Sequence, residues 1–594
     1  MFADNFFQST NVGTFQPHSA FAMKGALPKL FSGLTSRVFD ADTGILLKDP
    51  CYVSAFCIRQ FCYLLYKMEM PYSPEQEDTA VKKMVECDKT LDGQTHLSPY
   101  DKVLLLASNL ISEILGPFSW DAVVPRQGPG ASSHRITFPW EKWHFIGDGS
   151  DELPDDLFTT PGLADAEFNC DRPDLEAWLG LSKHHVPQLR QSKVSLVPKT
   201  SKGPRIISAE AVRLMWAQLG IDSLIRERIS EHSYCRNSIP FDDQTVNAEL
   251  ALASSVSGVN ATIDLSEASD RVSLRLIRNL FPTSWYRAIE ESRSGTTRLP
   301  SGDTIVLSKV APMGNGYCFS VESLVFWAIS AATIANTMEE SYTSEDDLEW
   351  ACQNVHVYGD DIVLPAQYAV KVMSSLELYG FRINRDKSFW TGPFRESCGT
   401  DAFAGANITP LKIKTPPRTA GTNRPSRKKW DADFVAGWYD QSKSWSVLLP
   451  AVSAWMKEQV YDHLGFIPTY PEGWEGCIGE PQCYESIKGT SVTRGQVGVQ
   501  FFQKVQRGPH GRKGFTILKE YSPPPSDGKL VKVVRVKNAS FRAPAEGFGF
   551  STEHGYLRWL QSCYNRAEVI DPFEPFTFTL RYATLVSVAR EWVS

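Results

Sequence analysis

Val355-His356-Val357-Tyr358-Gly359-Asp360-Asp361-Ile362-Val363-Leu364 decides how this chain is read. Apolar positions alternate on both sides of a glycine-containing turn. That pattern predicts a tight hairpin, and Gly359 supplies the positive φ that a primed turn needs. The tip then carries two adjacent carboxylates. Like charges there repel unless a cation sits between them, and a pair of Mg²⁺ ions would supply that. A bare Asp-Asp pair is most often a solvated acidic turn. The full string Tyr-Gly-Asp-Asp between apolar strands is far more restrictive.

Working outward, Ala261-Thr262-Ile263-Asp264-Leu265-Ser266-Glu267-Ala268-Ser269-Asp270 puts Asp264 at the end of a short strand. Ser266 is the expected N-cap of a following helix that stops before Pro282. Ligand sites in α/β layouts lie at the carboxyl ends of strands. Alone, Asp264 reads as a helix-entry residue and Asp270 as an exposed helical acid. With the Asp360/Asp361 hairpin downstream, three carboxylates can converge from two strands, as two-metal phosphoryl transfer requires. Between these motifs lies Pro312-Met313-Gly314-Asn315-Gly316-Tyr317, ahead of a long apolar helix at 317–336. Its glycines let backbone approach a nucleotide closely. Residues 299–310 read as extended around Ser301-Gly302-Asp303, and helical patterns are expected at 52–66, 100–115 and 212–229.

The whole chain bounds these readings. Its 594 residues allow three or four domain-sized bodies or one multi-lobed enzyme. With 42% hydrophobic and 22% charged residues it is a globular composition, not a disordered one. The net charge of −7 excludes a uniformly basic nucleic-acid binder, so any polyanion must be held by local basic patches. One such patch is 187–213, with Arg190, Lys193, Lys199, Lys202, Arg205 and Arg213 against Glu210 alone. The most apolar segment, 323–338, reads as a buried helix rather than a membrane span. The first residues lack a secretory pattern, and the 12 Cys form no CxxC pair, so reduced thiols in a cytoplasm are the expectation.

The strings VPKTSKGPRII (197–207), DLSEASDRVSL (264–274), MGNGYCFSVESLVF (313–326), YGDDIVLP (358–365) and GPFRESCG (392–399) together resemble the replicase subunit of leviviruses, the single-stranded RNA phages. The resemblance covers about 190–410; the last string and MGNGY are its most family-specific parts. It implies an α+β fold of right-hand polymerase type, with a palm of antiparallel sheet plus helices, fingers and thumb. The implied division is 1–115 for the N-terminal part of the fingers, 116–258 for the fingers, 259–400 for the palm, and 401–594 for the thumb and C-terminal region. The implied activity is RNA-directed RNA polymerisation from ribonucleoside triphosphates, replicating a phage genome in the cytoplasm of a bacterial host, with no membrane.

Carried over by position, Asp264, Asp360 and Asp361 hold two Mg²⁺ ions, with Mn²⁺ as the alternative. Lys387 matches the general acid for leaving pyrophosphate. Lys199, Lys202 and Arg205 match the motif that cradles the triphosphate, and Asp270, Gly314, Asn315 and Glu322 fall on the nucleotide side. Arg395, Glu396, Ser397 and Gly399 match a loop that grips the RNA primer strand. Motif B departs from the wider polymerase pattern: Cys318 and Glu322 stand where Thr and Asn are usual, so the Asn contact to ribose does not carry over. The resemblance also implies single-stranded RNA template and product, host elongation factors Tu and Ts, and a ribosomal protein as partners.

Two rivals stay open. A reverse transcriptase shares the paired-Asp hairpin, and Asp270 argues against it because a second acid suits a ribose hydroxyl. A non-catalytic RNA-binding protein on a dead polymerase fold is disfavoured by the intact carboxylates. Seven basic residues and no acid between Leu411 and Lys429 fit an RNA track, a docking surface or a solvated linker, as do the basic stretches 488–519 and 529–542.

Overall fold

A computed structural model of the chain describes residues 1–134, 191–338, 345–414 and 432–464, apart from 69–70, 93–97, 99, 129 and 448. It also describes Lys142 and strand segments between 469 and 537. The segment 415–429 and most of the basic stretches 488–519 and 529–542 lie outside the described residues.

Besides a one-turn helix at Ser32–Thr35 and a short two-stranded ribbon, the N-terminal part carries the longer helices α1 (Phe2–Val12), α2 (Tyr52–Tyr63), α3 (Pro74–Asp92) and α4 (Lys102–Leu115). α4 starts where its sequence dictates, with the Asp101 side chain accepting the Leu104 N–H. Strands β1 (Gln191–Thr200) and β2 (Gly203–Ala209) form the basic hairpin, followed by α5 (Val212–Glu231) and α6 (Thr245–Ser257). Then come β3 (Asn260–Asp264), α7 (Leu274–Leu280), β4 (Thr296–Arg298), β5 (Thr304–Val306) and α8 (Cys318–Met338). The central hairpin is β6 (His356–Tyr358) and β7 (Asp361–Pro365), and α9 (Ala369–Leu378) follows it. A small antiparallel sheet, β8 (Phe394–Ser397), β9 (Thr400–Phe403) and β10 (Ala406–Asn407), comes next.

The central sheet has the order β3-β7-β6 and is antiparallel throughout. A second sheet runs β2-β1-β4-β5, with only the β1/β4 pair parallel. Helices and antiparallel sheets mix as the α+β expectation requires. α8 is apolar and long enough to cross a membrane by composition, yet 89% of its apolar window is buried inside the protein. Leu324, Phe326, Trp327 and Ile329 on it have no exposed surface, so it is the central core helix. A second core joins Phe6, Phe7 and Phe39 near the N-terminus to Phe389, Phe394 and Phe403. Each buried Phe contributes roughly 1.5–3 kcal/mol, and together they dock α1 and α2 on the β8-β9 hairpin.

Two local expectations are corrected. Ser266 does not cap a helix, because no helix starts there: the Leu265–Ile383 bridge and the Ser266 N–H bond to the Arg382 carbonyl carry the strand pairing past Asp264. The chain then turns through Glu267 at φ 59° and a 3₁₀ turn at Ser269–Arg271. Ser273 is the real cap, accepting the Leu276 N–H. The stretch 299–310 is strand only at Thr304–Val306, while its partner starts earlier, at Thr296.

Candidate active site

The register of the central sheet sets Asp264 directly opposite Asp361. Paired residues on an antiparallel ladder share a face, so their side chains are neighbours. Gly359 and Asp360 make the two-residue turn between Tyr358 and Asp361. Gly359 sits at φ 63°, and a Cβ there would come within 2.6 Å of the Phe319 ring, so any other residue would be strained and would have to displace that ring. Its N–H donates to Ser323 Oγ at 3.0 Å, which ties the hairpin tip to α8.

Asp264 is held on both sides. Its Oδ2 accepts from Asn384 Nδ2 at 2.6 Å, and its N–H donates to Ser388 Oγ at 3.2 Å. Burial pushes its carboxyl up to about 6; Lys387 counters that, and Asp360 and Glu396 add to it. Burial, then Asp360 and Asp264, push Asp361 up to about 7. Asp361 Oδ1 accepts from Ser397 Oγ at 3.4 Å. These acids are crowded enough to resist ionising together, a frustration that a divalent cation relieves. Among the described residues no three His, Cys, Asp or Glu side chains form a ready-made metal cage. Their hard oxygen donors fit Mg²⁺, which takes one or two carboxylates and completes its shell with water and substrate phosphates.

These carboxylates open onto a cavity of about 1350 Å³ whose other wall is the β1-β2 hairpin. Lys199, Lys202 and Arg205 line that wall. Burial, and then repulsion from Arg205, lower the Lys199 ammonium below its usual range. The Tyr72 hydroxyl fixes the hairpin, accepting from the Lys199 N–H at 3.1 Å and donating to the Thr200 carbonyl at 2.9 Å. Lys202 Nζ lies 5.7 Å from the centre of the Tyr66 ring, within cation–π range.

Asp270 and Glu322 also line the cavity. Asp270 Oδ1 accepts from Lys309 Nζ at 3.0 Å. Glu322 is buried, and burial followed by Asp360 and Asp270 pushes its carboxyl well above the usual range. Gly314, at φ 111°, passes so close to the hairpin that a Cβ would meet the Ser208 carbonyl at 2.5 Å. Asn315 faces inward: its Nδ2 donates to Glu210 Oε1 at 3.3 Å, and its Oδ1 accepts from the Tyr317 N–H at 3.0 Å. Gly314 and Asn315 thus shape the loop between hairpin and α8, and neither lines the cavity.

Lys387 stands 4.0 Å from Asp264 Oδ1 and 3.1 Å from Glu396 Oε1. Glu396, then burial in the opposite sense and Asp264, together hold its ammonium firmly protonated. The primer-gripping expectation needs correcting at two of its four residues, Arg395 and Ser397, while Glu396 and Gly399 line the cavity. Arg395 has no exposed surface; it donates to the carbonyls of Asn260, Thr391, Gly392 and Phe394 at 2.6–3.0 Å. It cannot reach a strand from there. Glu396 faces Lys387 and Arg59, and Ser397 is buried against Asp361. Only Gly399 combines a place on the cavity wall with backbone freedom, at φ 76°.

Residues 178–421 match the RNA replicase, beta-chain family. Over 225 residues the chain is 39% identical to the RNA-directed RNA polymerase subunit beta of Qbeta virus (strain MX1), covering 38% of this chain and 35% of that one. Over 234 residues it is 39% identical to the subunit beta of Enterobacteria phage SP, covering 39% and 38%. Over 223 residues it is 36% identical to the RNA-directed RNA polymerase beta chain of Escherichia phage MS2, covering 38% of each. The chain thus spans little more than a third of the length of these curated relatives.

The replicase-like stretch depends on residues the motifs did not single out. Arg59 on α2 is buried, pairs with Asp401, and lies 3.0 Å from Glu396 Oε2. Its guanidinium sits 4.8–5.0 Å from the ring centres of Phe7, Tyr63 and Phe394. Burial works against its charge, but Asp401 and Glu396 raise it further above its usual range. Asn384 sat in the string Asn384-Arg385-Asp386-Lys387 that located Lys387, so proximity in sequence was a usable signal for it. Arg59 left none.

Proposed function

We propose that the protein is an RNA-directed RNA polymerase, the catalytic subunit of an RNA-phage replicase, acting on ribonucleoside triphosphates. The observation that carries this reading is Asp264 standing opposite Asp361, beside the Asp360 turn, with the basic β1-β2 hairpin across one cavity. In this reading 259–400 is the palm, 1–115 and 116–258 the fingers, and 401–594 the thumb and C-terminal region.

Asp264 and Asp360 would hold Mg²⁺, supported by Asp361. When bound, the ions supply Lewis-acid activation of the RNA 3′-hydroxyl and neutralise charge on the departing pyrophosphate. The chain's own groups position the reactants. Asn384 and Ser388 aim Asp264, while Lys199, Lys202 and Arg205 orient the triphosphate across from it, Arg by paired N–H donors. In the general-acid role Lys387 gives a proton to pyrophosphate. Its pairing with Glu396 makes that proton costly to release, so Lys387 acts first as a fixed positive charge near the leaving group. Asp270 presents an acceptor to the ribose 2′-hydroxyl, which only a ribonucleotide offers. Single-stranded RNA template, host elongation factors Tu and Ts, and a ribosomal protein, in a bacterial cytoplasm, belong to the same reading.

The test is extension of a primed RNA template with ribonucleotides and Mg²⁺, with and without bacterial host extract. Template-dependent products are expected, absent for Asp360→Asn. Folded protein that makes none under either condition rejects the proposal. Preference for deoxynucleotides would instead favour a reverse transcriptase.

A further inference from the structure

Lys309 has no exposed side-chain surface, an unusual place for an ammonium. It sits between two carboxylates, 3.0 Å from Asp270 Oδ1 and 3.7 Å from Asp88 Oδ1. If the position served packing alone, an apolar side chain would fill it without the loss of hydration that a buried charge suffers. Its surroundings are built to hold it still. Asp88, near the end of α3, accepts the N–H groups of Ser308 and Lys309 at 3.0 and 3.2 Å, so one carboxylate grips both the backbone and the ammonium of the same residue. The Lys309 carbonyl accepts from buried Arg293 at 2.9 Å. Lys309 also bridges Ser273, and the Val310 N–H donates to the Val272 carbonyl at 2.8 Å. The segment is therefore tied to the chain just after Asp270.

Asp270 has the opposite character. Its side chain is 22% exposed, and it lines the cavity. Oδ1 is occupied by Lys309, and among the described residues no hydrogen bond reaches Oδ2. The nearby Arg271 is engaged elsewhere, with Glu267 at 2.9 Å. One cation between two carboxylates leaves a net negative charge, and the end of the triad open to ligand is Asp270.

We propose that Lys309, anchored by Asp88, is a positioning residue for sugar selection: it pins Asp270 Oδ1 so that Oδ2 is held as the acceptor for a ribose hydroxyl. The inference rests on the polymerase reading and on Asp270 facing the sugar. It adds that α3, distant in sequence, sets the discrimination between ribo- and deoxynucleotides. Without the pin, Asp270 swings among rotamers and loses most of its advantage for a hydroxyl-bearing sugar.

The experiment measures kcat/KM for matched ribo- and deoxynucleotides on one template, with Tm in parallel, for the parent, Lys309→Met, Lys309→Gln and Asp270→Ala. Lys309→Met should lower the ribo/deoxy ratio about tenfold, the scale of one misplaced charge-assisted hydrogen bond, chiefly through ribonucleotide efficiency. Lys309→Gln keeps an N–H donor and should recover part of the ratio. If the Met variant does not fold, the Gln variant alone must show an intermediate ratio. A ratio that holds in both Lys309 variants while Asp270→Ala lowers it overturns the positioning role and leaves the sugar reading standing. A ratio unchanged even in Asp270→Ala overturns both. A parent that makes no RNA overturns the polymerase reading itself.

Discussion

Glu396 Oε1 lies 3.1 Å from Lys387 Nζ, across a strand and a loop that meet beside Asp264. Through its other oxygen the same carboxylate holds Arg59. Glu396→Gln should lower stability by ~1–3 kcal/mol, because buried Arg59 then keeps only Asp401 as a charged partner, while half-exposed Lys387 is compensated by water. Lys387, freed from this partner, should draw closer to Asp264 and slow nucleotide incorporation. Thermal melts and single-nucleotide addition rates check both parts; an unchanged Tm would show that the pair is not coupled to folding.

Asp264→Asn and Asp360→Asn should each abolish RNA synthesis, by roughly a thousandfold or more, if their charges hold the metal ions. Binding of RNA should survive, since basic residues elsewhere govern it. Either variant retaining a tenth of parental activity at matched folding would remove that residue from the metal site.

Lys199→Ala and Arg205→Ala should raise the nucleotide KM or lower kcat more than they weaken template affinity. Each charge-assisted contact to a phosphate is worth ~1.5–3 kcal/mol. Parental kinetics in both would assign the β1-β2 hairpin to a solvated surface.

Asp264 and Asp361 stand at about 6 and about 7 against an ordinary 3.8. Folded values above unfolded ones mean the folded chain binds more protons between these limits, so stability is greatest below the unfolded value and declines as pH rises through about 4 to 7. In metal-free protein Tm should therefore fall across that window, and Asp361→Asn should flatten the fall. Added Mg²⁺ should raise Tm near pH 7.5 and have little effect near pH 5, where the carboxyls are protonated. A Tm that rises with pH over this range in chelator would contradict the crowding of the two acids.

Arg395→Met should cost on the order of 3 kcal/mol in stability, as four carbonyls lose a charged donor. The affinity of the folded fraction for RNA should not change. A selective loss of RNA binding at unchanged Tm would return Arg395 to the primer-gripping role.

The carboxylate hairpin and the apolar core helix were readable in advance, and 187–213 was readable as a basic stretch, though not as the hairpin it forms. Each is local: alternation and one glycine specify β6-β7, and an unbroken apolar run specifies α8. The helix after Asp264 starts later than its sequence suggests: Ser266 has the chemistry of a cap, but its backbone is still paired with Arg382 and the helix begins only at Leu274. Arg395 was misread for a similar reason. A basic residue in a family-specific loop looks ready for phosphate, and nothing in its neighbours announces that carbonyls from Asn260 to Phe394 surround it.

By itself the sequence determined which groups can do chemistry here: Asp264, Asp360, Asp361 and the Lys199 to Arg205 cations, because charge type and short spacing are properties of the chain. Only the tertiary structure decided which of them are neighbours and what holds them. Arg59 meets Glu396 across 337 residues, and Asp88 meets Lys309 across 221. No periodicity spans such distances. Those partners are chosen by which surfaces the phenylalanine core at the N-terminus and the packing of α3 bring together, and a buried charge must find its counterpart there or stay uncompensated.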